Sequence, residues 1–167
     1  MNIDKLKDLI YYDSQTGLFT SLINRRKVKA GELMIGYPYR GYIKVKIFNK
    51  FIPAHRLAWI YMNGEIPKGM QIDHKDGDRS NNRIENLRLA TASENRQNLK
   101  AASKSNKSGF LGVYFCKEQQ KYRAEIVVNG KKIRLGRYKT AEEASEVYMD
   151  AKRKFHEFFY EGTGNAA

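Results

Sequence analysis

The residues with the most chemical capacity lie between Ile72 and Asn98, in the stretch IDHKDGDRSNNRIENLRLATASENRQN. Asp73-His74 closes a short apolar run, Met70-Gln71-Ile72. A neutral imidazole with an ordinary pKa of about 6.5 can take a proton from water at neutral pH. Carboxylate and amide oxygens, also present here, are the ligand types that hard divalent cations accept. Taken alone, DGDRSNN also reads as a turn, or weakly as a calcium loop. The spacing of Asp73, Asp76 and Asp78 and the lateness of the next Glu do not match an EF-hand.

These groups need elements to position them. KDGDRSNN is rich in Asp, Gly, Ser and Asn and reads as a loop. Leu87-Arg88-Leu89-Ala90 is a second short apolar run. Thr91-Ala92-Ser93-Glu94 has the pattern of a capping box that opens a helix. The order is therefore strand, polar loop, strand, helix. His74 ends the first strand, Asn86 precedes the second, and Asn95 stands near the start of the helix.

With Asp73-His74, Asn86-Leu87-Arg88 and Ser93-Glu94-Asn95 in register, this order resembles the HNH nuclease family. The resemblance runs from about Ala54 to Asn98 and includes His55-Arg56-Leu57-Ala58-Trp59. It implies a strand–strand–helix unit gripping one divalent ion, with His74 as general base, Asp73 and Asn95 as metal ligands, and Asn86 holding the loop. Asn82 is the alternative structural amide. His55 either stands near the metal or fills the core. The implied cofactor is Mg²⁺, with Mn²⁺ an alternative, because a hard cation that keeps its waters needs few protein oxygens. Adjacent residues of a regular strand face opposite sides, so Asp73 and His74 reach one site only where the strand ends or twists.

The chain has 167 residues, 41% of them hydrophobic, enough for one medium domain or two small ones. It carries no apolar run of membrane-spanning length, and MNIDKLKDLI is too polar for a signal peptide. A cytoplasmic location is expected. The single cysteine, Cys116, excludes an internal disulfide and a Cys-rich zinc site, so no zinc is expected. A formal charge of +13 attracts polyanions.

In the N-terminal part, Ile3, Leu6, Leu9 and Ile10 have helical spacing, so an amphipathic helix is expected within residues 1–12. Residues 12–19 read as a turn into a strand. Residues 24–32 form a basic loop with Arg25, Arg26, Lys27 and Lys29, either touching a nucleic-acid backbone or simply solvated. Residues 41–48 alternate, with Tyr42, Lys44 and Lys46 on one face and Ile43, Val45 and Ile47 on the other. A turn at Asn49-Lys50 leads to a return strand, and a helix follows from His55 to Met62. The domain organisation predicted is a nuclease domain over 1–99, a basic linker over 100–108, a second domain over 109–160 and a tail over 161–167.

The second domain reads as three strands, at 111–116, 122–128 and 131–135, with a hairpin turn at Asn129-Gly130. A helix follows, capped by Thr140 and Glu143, with an apolar stripe of Ala144, Val147, Tyr148, Ala151 and Phe155. The helix covers one sheet face. The other presents Lys121, Arg123, Glu125, Lys132 and Arg134, with Arg137 just beyond. Gly109-Phe110-Leu111-Gly112-Val113, Tyr122-Arg123-Ala124-Glu125-Ile126, Leu135-Gly136-Arg137-Tyr138 and Thr140-Ala141-Glu142-Glu143-Ala144 resemble the plant ethylene-response-factor DNA-binding domain. That resemblance implies a sheet laid in the DNA major groove. Leu111, Tyr114, Cys116 and Arg134 stand where that family reads bases, so the target sequence does not carry over.

The whole reads as an α+β chain that cuts double-stranded DNA, similar to phage-type HNH homing endonucleases. As a monomer it would nick one strand, and a double-strand break would need a dimer or two visits. The rival reading is a non-catalytic DNA-binding transcription regulator on an HNH scaffold. RNA is disfavoured as the partner, because the deep, narrow major groove of A-form RNA does not admit side chains.

Overall fold

The structure, a computed structural model, describes residues 2–161. The part of the tail at 162–167 lies outside the described residues. The chain divides into two compact units, Met1–Ala92 and Ser93–Ala167. The division falls ahead of the linker expected at 100–108.

In the first unit, α1 (Ile3–Leu9) opens where the Asn2 side chain accepts from the Lys5 N–H at 3.0 Å. It ends sooner than its apolar spacing suggests, because Ile10 already pairs with Ser21 across β1 (Ile10–Asp13) and β2 (Leu18–Ser21). A three-stranded antiparallel sheet follows, ordered β3 (Tyr37–Tyr39), β4 (Tyr42–Ile47), β5 (Lys50–Pro53). The β4–β5 turn sits at Phe48-Asn49, both at positive φ, one residue before the expected place. α2 (Ala54–Asn63) stops at Gly64, whose φ of 83° suits glycine. β6 (Gln71–His74) pairs antiparallel with β7 (Leu87–Ala90). Leu6, Ile10, Phe19, Val45, Ile47, Leu57, Ile72 and Leu87 form one core, so α1, both hairpins and α2 together fix where β6 ends.

Gly17 ties the first hairpin to the polar loop between β6 and β7. Its φ is +75°, and a Cβ there would lie 2.6 Å from the Asn82 carbonyl carbon. Gly17→Ala is expected to lower stability by roughly 1–3 kcal/mol, the range for strained backbone, and to reduce catalysis through Asn82. Thermal denaturation and a cleavage assay on the same preparation check both effects.

The second unit begins with α3, most of which (Ala92–Gln97) it contains. Its sheet is ordered β10 (Lys131–Tyr138), β9 (Lys121–Val128), β8 (Val113–Cys116). The turn at Asn129-Gly130 has positive φ at both residues. α4 (Ala141–Phe155) carries a complete capping box from Thr140 and Glu143. Its buried face is Ala141, Ala144, Tyr148 and Ala151, packed on Val113, Ala124 and Ile126.

The last stripe position departs from expectation. Phe155 is exposed and Lys152 is buried instead. The Lys152 ammonium is satisfied without an acid: it donates to the Leu99 carbonyl at 2.5 Å and lies 4.3 Å from the Phe159 ring centre. Burial, and then Lys100, bring its pKa down to about 8. The segment after α3 is further fastened where Gln97 and Asn98 side chains accept from the N–H groups of Phe158 and Tyr160. The stretch expected as a linker is also tied down, since Asn106 and Ser108 side chains donate to the carbonyls of Phe110 and Val113. No helix among the described residues is long and apolar enough to cross a membrane.

Candidate active site and nucleic-acid face

β6 keeps ladder register to its end, with Asp73 opposite Arg88 and His74 opposite Leu87. Strand alternation therefore sends His74 to the face of Ile72 and Asp73 to the other. On that other face Arg88 donates through Nε (2.9 Å) and Nη2 (2.8 Å) to the same oxygen, Asp73 Oδ2. The Asp73 side chain is buried and that of Arg88 partly exposed.

His74 and His55 are both buried. Their rings meet edge to face at 5.0 Å, with the Tyr42 ring 5.1 Å from His55 and 6.0 Å from His74. His55 comes from the first turn of α2, and Tyr42 from the start of β4. His74 Nε2 lies 3.4 Å from Asn82 Oδ1. The Asn82 carbonyl in turn accepts from the Tyr12 hydroxyl at 2.6 Å. Arg79 stacks over Tyr42 at 4.8 Å and donates to the Arg40 carbonyl.

Burial pushes the His74 pKa down, against the opposing pull of the Asn82 contact and of Asp76, Asp73 and Asp78. Burial, then His74, then Arg56, bring His55 down to about 3, and its Nδ1 is buried without a hydrogen bond. An unfolded His55 binds a proton near its ordinary value of 6.5, so the unfolded chain holds more protons between that pH and about 3. Stability is thus complete above the ordinary value and lost as pH falls through this window. His55→Phe is expected to flatten this part of the profile, as read from urea midpoints between pH 7 and pH 4.

Asn86 bridges the loop's two ends. Its Oδ1 accepts from the Asp76 N–H (3.1 Å), and its Nδ2 donates to Asp76 Oδ1 (3.0 Å) and the Asn81 carbonyl (2.9 Å). Asp76 also accepts from the Asp78 N–H and from Asn81, while Asp78 accepts twice from Ser80. Both carboxylates thus serve the loop's own shape.

The first unit sets His55 against His74, while Asp73 meets Arg88 on the opposite side of β6 and Asn86 holds the loop; Asn95 lies on α3 in the second unit. The sequence reading missed Tyr42, Arg79 and Arg88 as neighbours of the site. Asn82 was visible only as an alternative to Asn86. It acts beside it, one amide holding the loop and the other meeting His74.

The sequence matches the family described as HNH endonuclease over residues 53–97. Protein 3.8 of Escherichia phage T7 is 43% identical over 86 residues, which are 52% of this chain and 70% of that one. The chain belongs to the HNH endonuclease family. HNH endonuclease L560 of Acanthamoeba polyphaga mimivirus is 33% identical over 106 residues, covering 62% of this chain and 54% of the relative. YosQ of Bacillus subtilis strain 168, whose name describes a prophage-derived HNH homing endonuclease, is 31% identical over 91 residues. Those residues are 54% of this chain and 53% of YosQ, so the chain spans about half the length of these two relatives. A solved structure, "DNA binding and cleavage by the HNH homing endonuclease I-HmuI", aligns with a TM-score of 0.48 and 23% identity over 87% of this chain and 80% of that one. The HNH match contains β6, β7 and the loop between them, with His55 at its start and Asn95 near its end.

On the second unit's uncovered sheet face, Glu125 does not stand exposed among the cations as expected. Its side chain is 5% exposed, with Arg123 Nε at 2.9 Å, Lys132 Nζ at 3.5 Å and Arg134 Nε at 3.6 Å. The Arg123 Nε contact is a close charge pair without the alignment of a hydrogen bond. Glu125 is a buried counter-ion, placed by the register Arg134↔Glu125 in the β9–β10 pair. A bulge falls between Arg134 and Gly136, beside a cavity of about 720 Å³ whose lining includes Lys121, Arg123, Arg134 and Arg137. Glu125→Gln removes the negative charge beneath these cations. It is expected to cost roughly 1–3 kcal/mol of stability and to strengthen binding to any DNA duplex at low salt. Calorimetry and a salt titration of duplex binding read the two effects.

Proposed function

We propose that the chain is a metal-dependent DNA endonuclease in which the first unit, with the helix that follows it, cuts, and the second unit grips the duplex. The observation that carries this reading is His74, a buried imidazole kept neutral at neutral pH inside the segment that matches the HNH family. In the tautomer whose Nε2–H points to Asn82 Oδ1, Nδ1 is the basic atom and takes the proton from the attacking water. Asn82, itself held by Tyr12, orients the ring. His55 and Tyr42 wall the imidazole and exclude bulk water. Attack by that water at phosphorus leaves a 5′-phosphate and a 3′-hydroxyl.

Among the described residues no three His, Cys, Asp or Glu side chains cluster as a metal site. The donor set fits a Mg²⁺-type ion, which needs only one or two protein oxygens beside its waters and a phosphate. Asp73 is the carboxylate ligand that the first unit offers it, and Asn95 is the further ligand that the HNH resemblance implies. When bound, such an ion supplies positive charge for the leaving 3′ oxygen.

The second unit's cations, spaced by Glu125, support a role on duplex phosphates, in line with its resemblance to the ethylene-response-factor domain. Joining the two raises the effective concentration of the cutter at the bound site. Site-directed cutting of the homing type is in keeping with the name of YosQ. One observation favours the rival, a DNA-binding regulator: Arg88 already occupies Asp73 Oδ2. Supercoiled plasmid carrying DNA from the source genome, incubated with Mg²⁺ or Mn²⁺ and with chelator, decides between them. Metal-dependent nicking is expected. Tight gel-shift binding with no cutting in either metal would favour the regulator.

A further inference from the structure

The β3–β5 sheet carries a surface that neither cutting nor gripping uses. Tyr37, Phe48 and Phe51 stand on it with 49%, 44% and 51% of their area exposed. The rings of Tyr37 and Phe51 meet edge to face at 5.0 Å. Phe48 sits at φ 49°, a conformation unfavourable for a bulky residue, at the tip of the β4–β5 hairpin. These rings line a cavity of about 530 Å³ together with Arg26, Lys27 and Lys46. Among the described residues no Asp or Glu lines it.

The basic loop is braced there. Arg25 donates to the carbonyls of Lys46 and Leu9, at 3.4 and 3.5 Å, which holds Arg26 and Lys27 against the sheet. The site thus offers apolar faces and positive charge side by side. An intact duplex turns its phosphates outward and keeps its base faces stacked inside, so it has nothing to lay on three open rings. An unpaired nucleotide presents both a free base face and a phosphate.

We propose that this cavity binds an unpaired nucleotide of a DNA strand, with the base against Tyr37, Phe48 and Phe51 and the phosphate at Arg26 and Lys27. The proposal rests on DNA being the substrate and adds a single-stranded ligand to it. Such a site would favour DNA that opens near the point of attack.

The test uses the full chain in chelator, with fluorescence anisotropy on a labelled oligothymidylate and on a labelled duplex of equal length. Phe51→Leu and Tyr37→Leu keep the charge and remove the rings. Each is expected to weaken oligothymidylate binding about tenfold or more, while duplex affinity stays within about twofold. The unfolding midpoint should be unchanged, since both rings are half exposed. Absence of oligothymidylate binding by the unaltered chain, or variants that bind it as well as that chain, would overturn the proposal. So would an equal loss on the duplex, which would mark the patch as an ordinary duplex contact. Plasmid cleavage by the unaltered chain is scored separately, so a failure of base capture is not mistaken for a failure of the nuclease reading.

Discussion

His74→Ala is expected to lower the cleavage rate by roughly 10²–10⁴-fold, the usual worth of a positioned general base, while gel-shift affinity for the same plasmid fragment stays within about twofold. The loss should fall on kcat, because the imidazole acts on water and not on DNA binding. Truncation leaves a small cavity beside His55 and Tyr42, so His74→Gln serves as a second variant that fills the space and cannot act as the base. The pH profile tests the same atom. Burial lowers the pKa of His74, so the neutral, active form persists below the ordinary histidine value of about 6.5. The acid limb of log kcat against pH should therefore lie on the acid side of that value. A limb at or above it would mean that another group accepts the proton. Equal cutting by both variants would remove His74 from the chemistry altogether.

The second large effect is expected from Asp73→Asn. Its carboxylate takes two donations from Arg88 on one oxygen, and both side chains are largely out of water. Breaking such a pair from one side leaves a charge uncompensated. Full burial would cost roughly 3–5 kcal/mol, and the partial exposure of Arg88 brings this to about 2–3 kcal/mol. Cleavage should also fall, by roughly 10²-fold or more, if this carboxylate holds the ion that neutralises the leaving oxygen. The pairing of Asp73→Asn with Arg88→Met separates the two roles. Stability should recover in the double variant, because no unpaired charge remains, whereas cleavage should not. A double variant that folds and cuts like the unaltered chain would reduce Asp73 to a structural partner of Arg88.

Much of the fold was legible because it is written in short-range signals. The loop KDGDRSNN cannot continue a strand, so β6 must end near His74. Asn129-Gly130 tolerates positive φ at both positions and turns β9 into β10. Thr140 and Glu143 close a capping box within four residues. The family match over residues 53–97 contains the same local order of Asp73-His74, Asn86-Leu87 and Asn95.

Other features needed contacts between distant residues. Arg88 became the partner of Asp73 only through the antiparallel register of β6 and β7. Glu125 looked like one more surface charge until the β9–β10 register set Arg134 opposite it and burial made it a counter-ion. Lys152 lies outside the apolar stripe read from the sequence, yet it is buried where Phe155 was expected to be. A carbonyl from Leu99 and the ring of Phe159 make its burial tolerable. Periodicity ranks residues by hydrophobicity and carries no information on which polar partner will arrive from elsewhere.

By itself the sequence determined the α+β element order, the HNH segment and the strongly basic character of the chain. These depend on propensities, turn chemistry and spacing within one stretch. Only the tertiary structure decided that His55, Tyr42 and Asn82 surround His74 and that Asp73 is shared with Arg88. Only it showed aromatic rings and cations facing one cavity in the first unit. Each of these depends on strand register and core packing, which set distances between residues far apart in the chain.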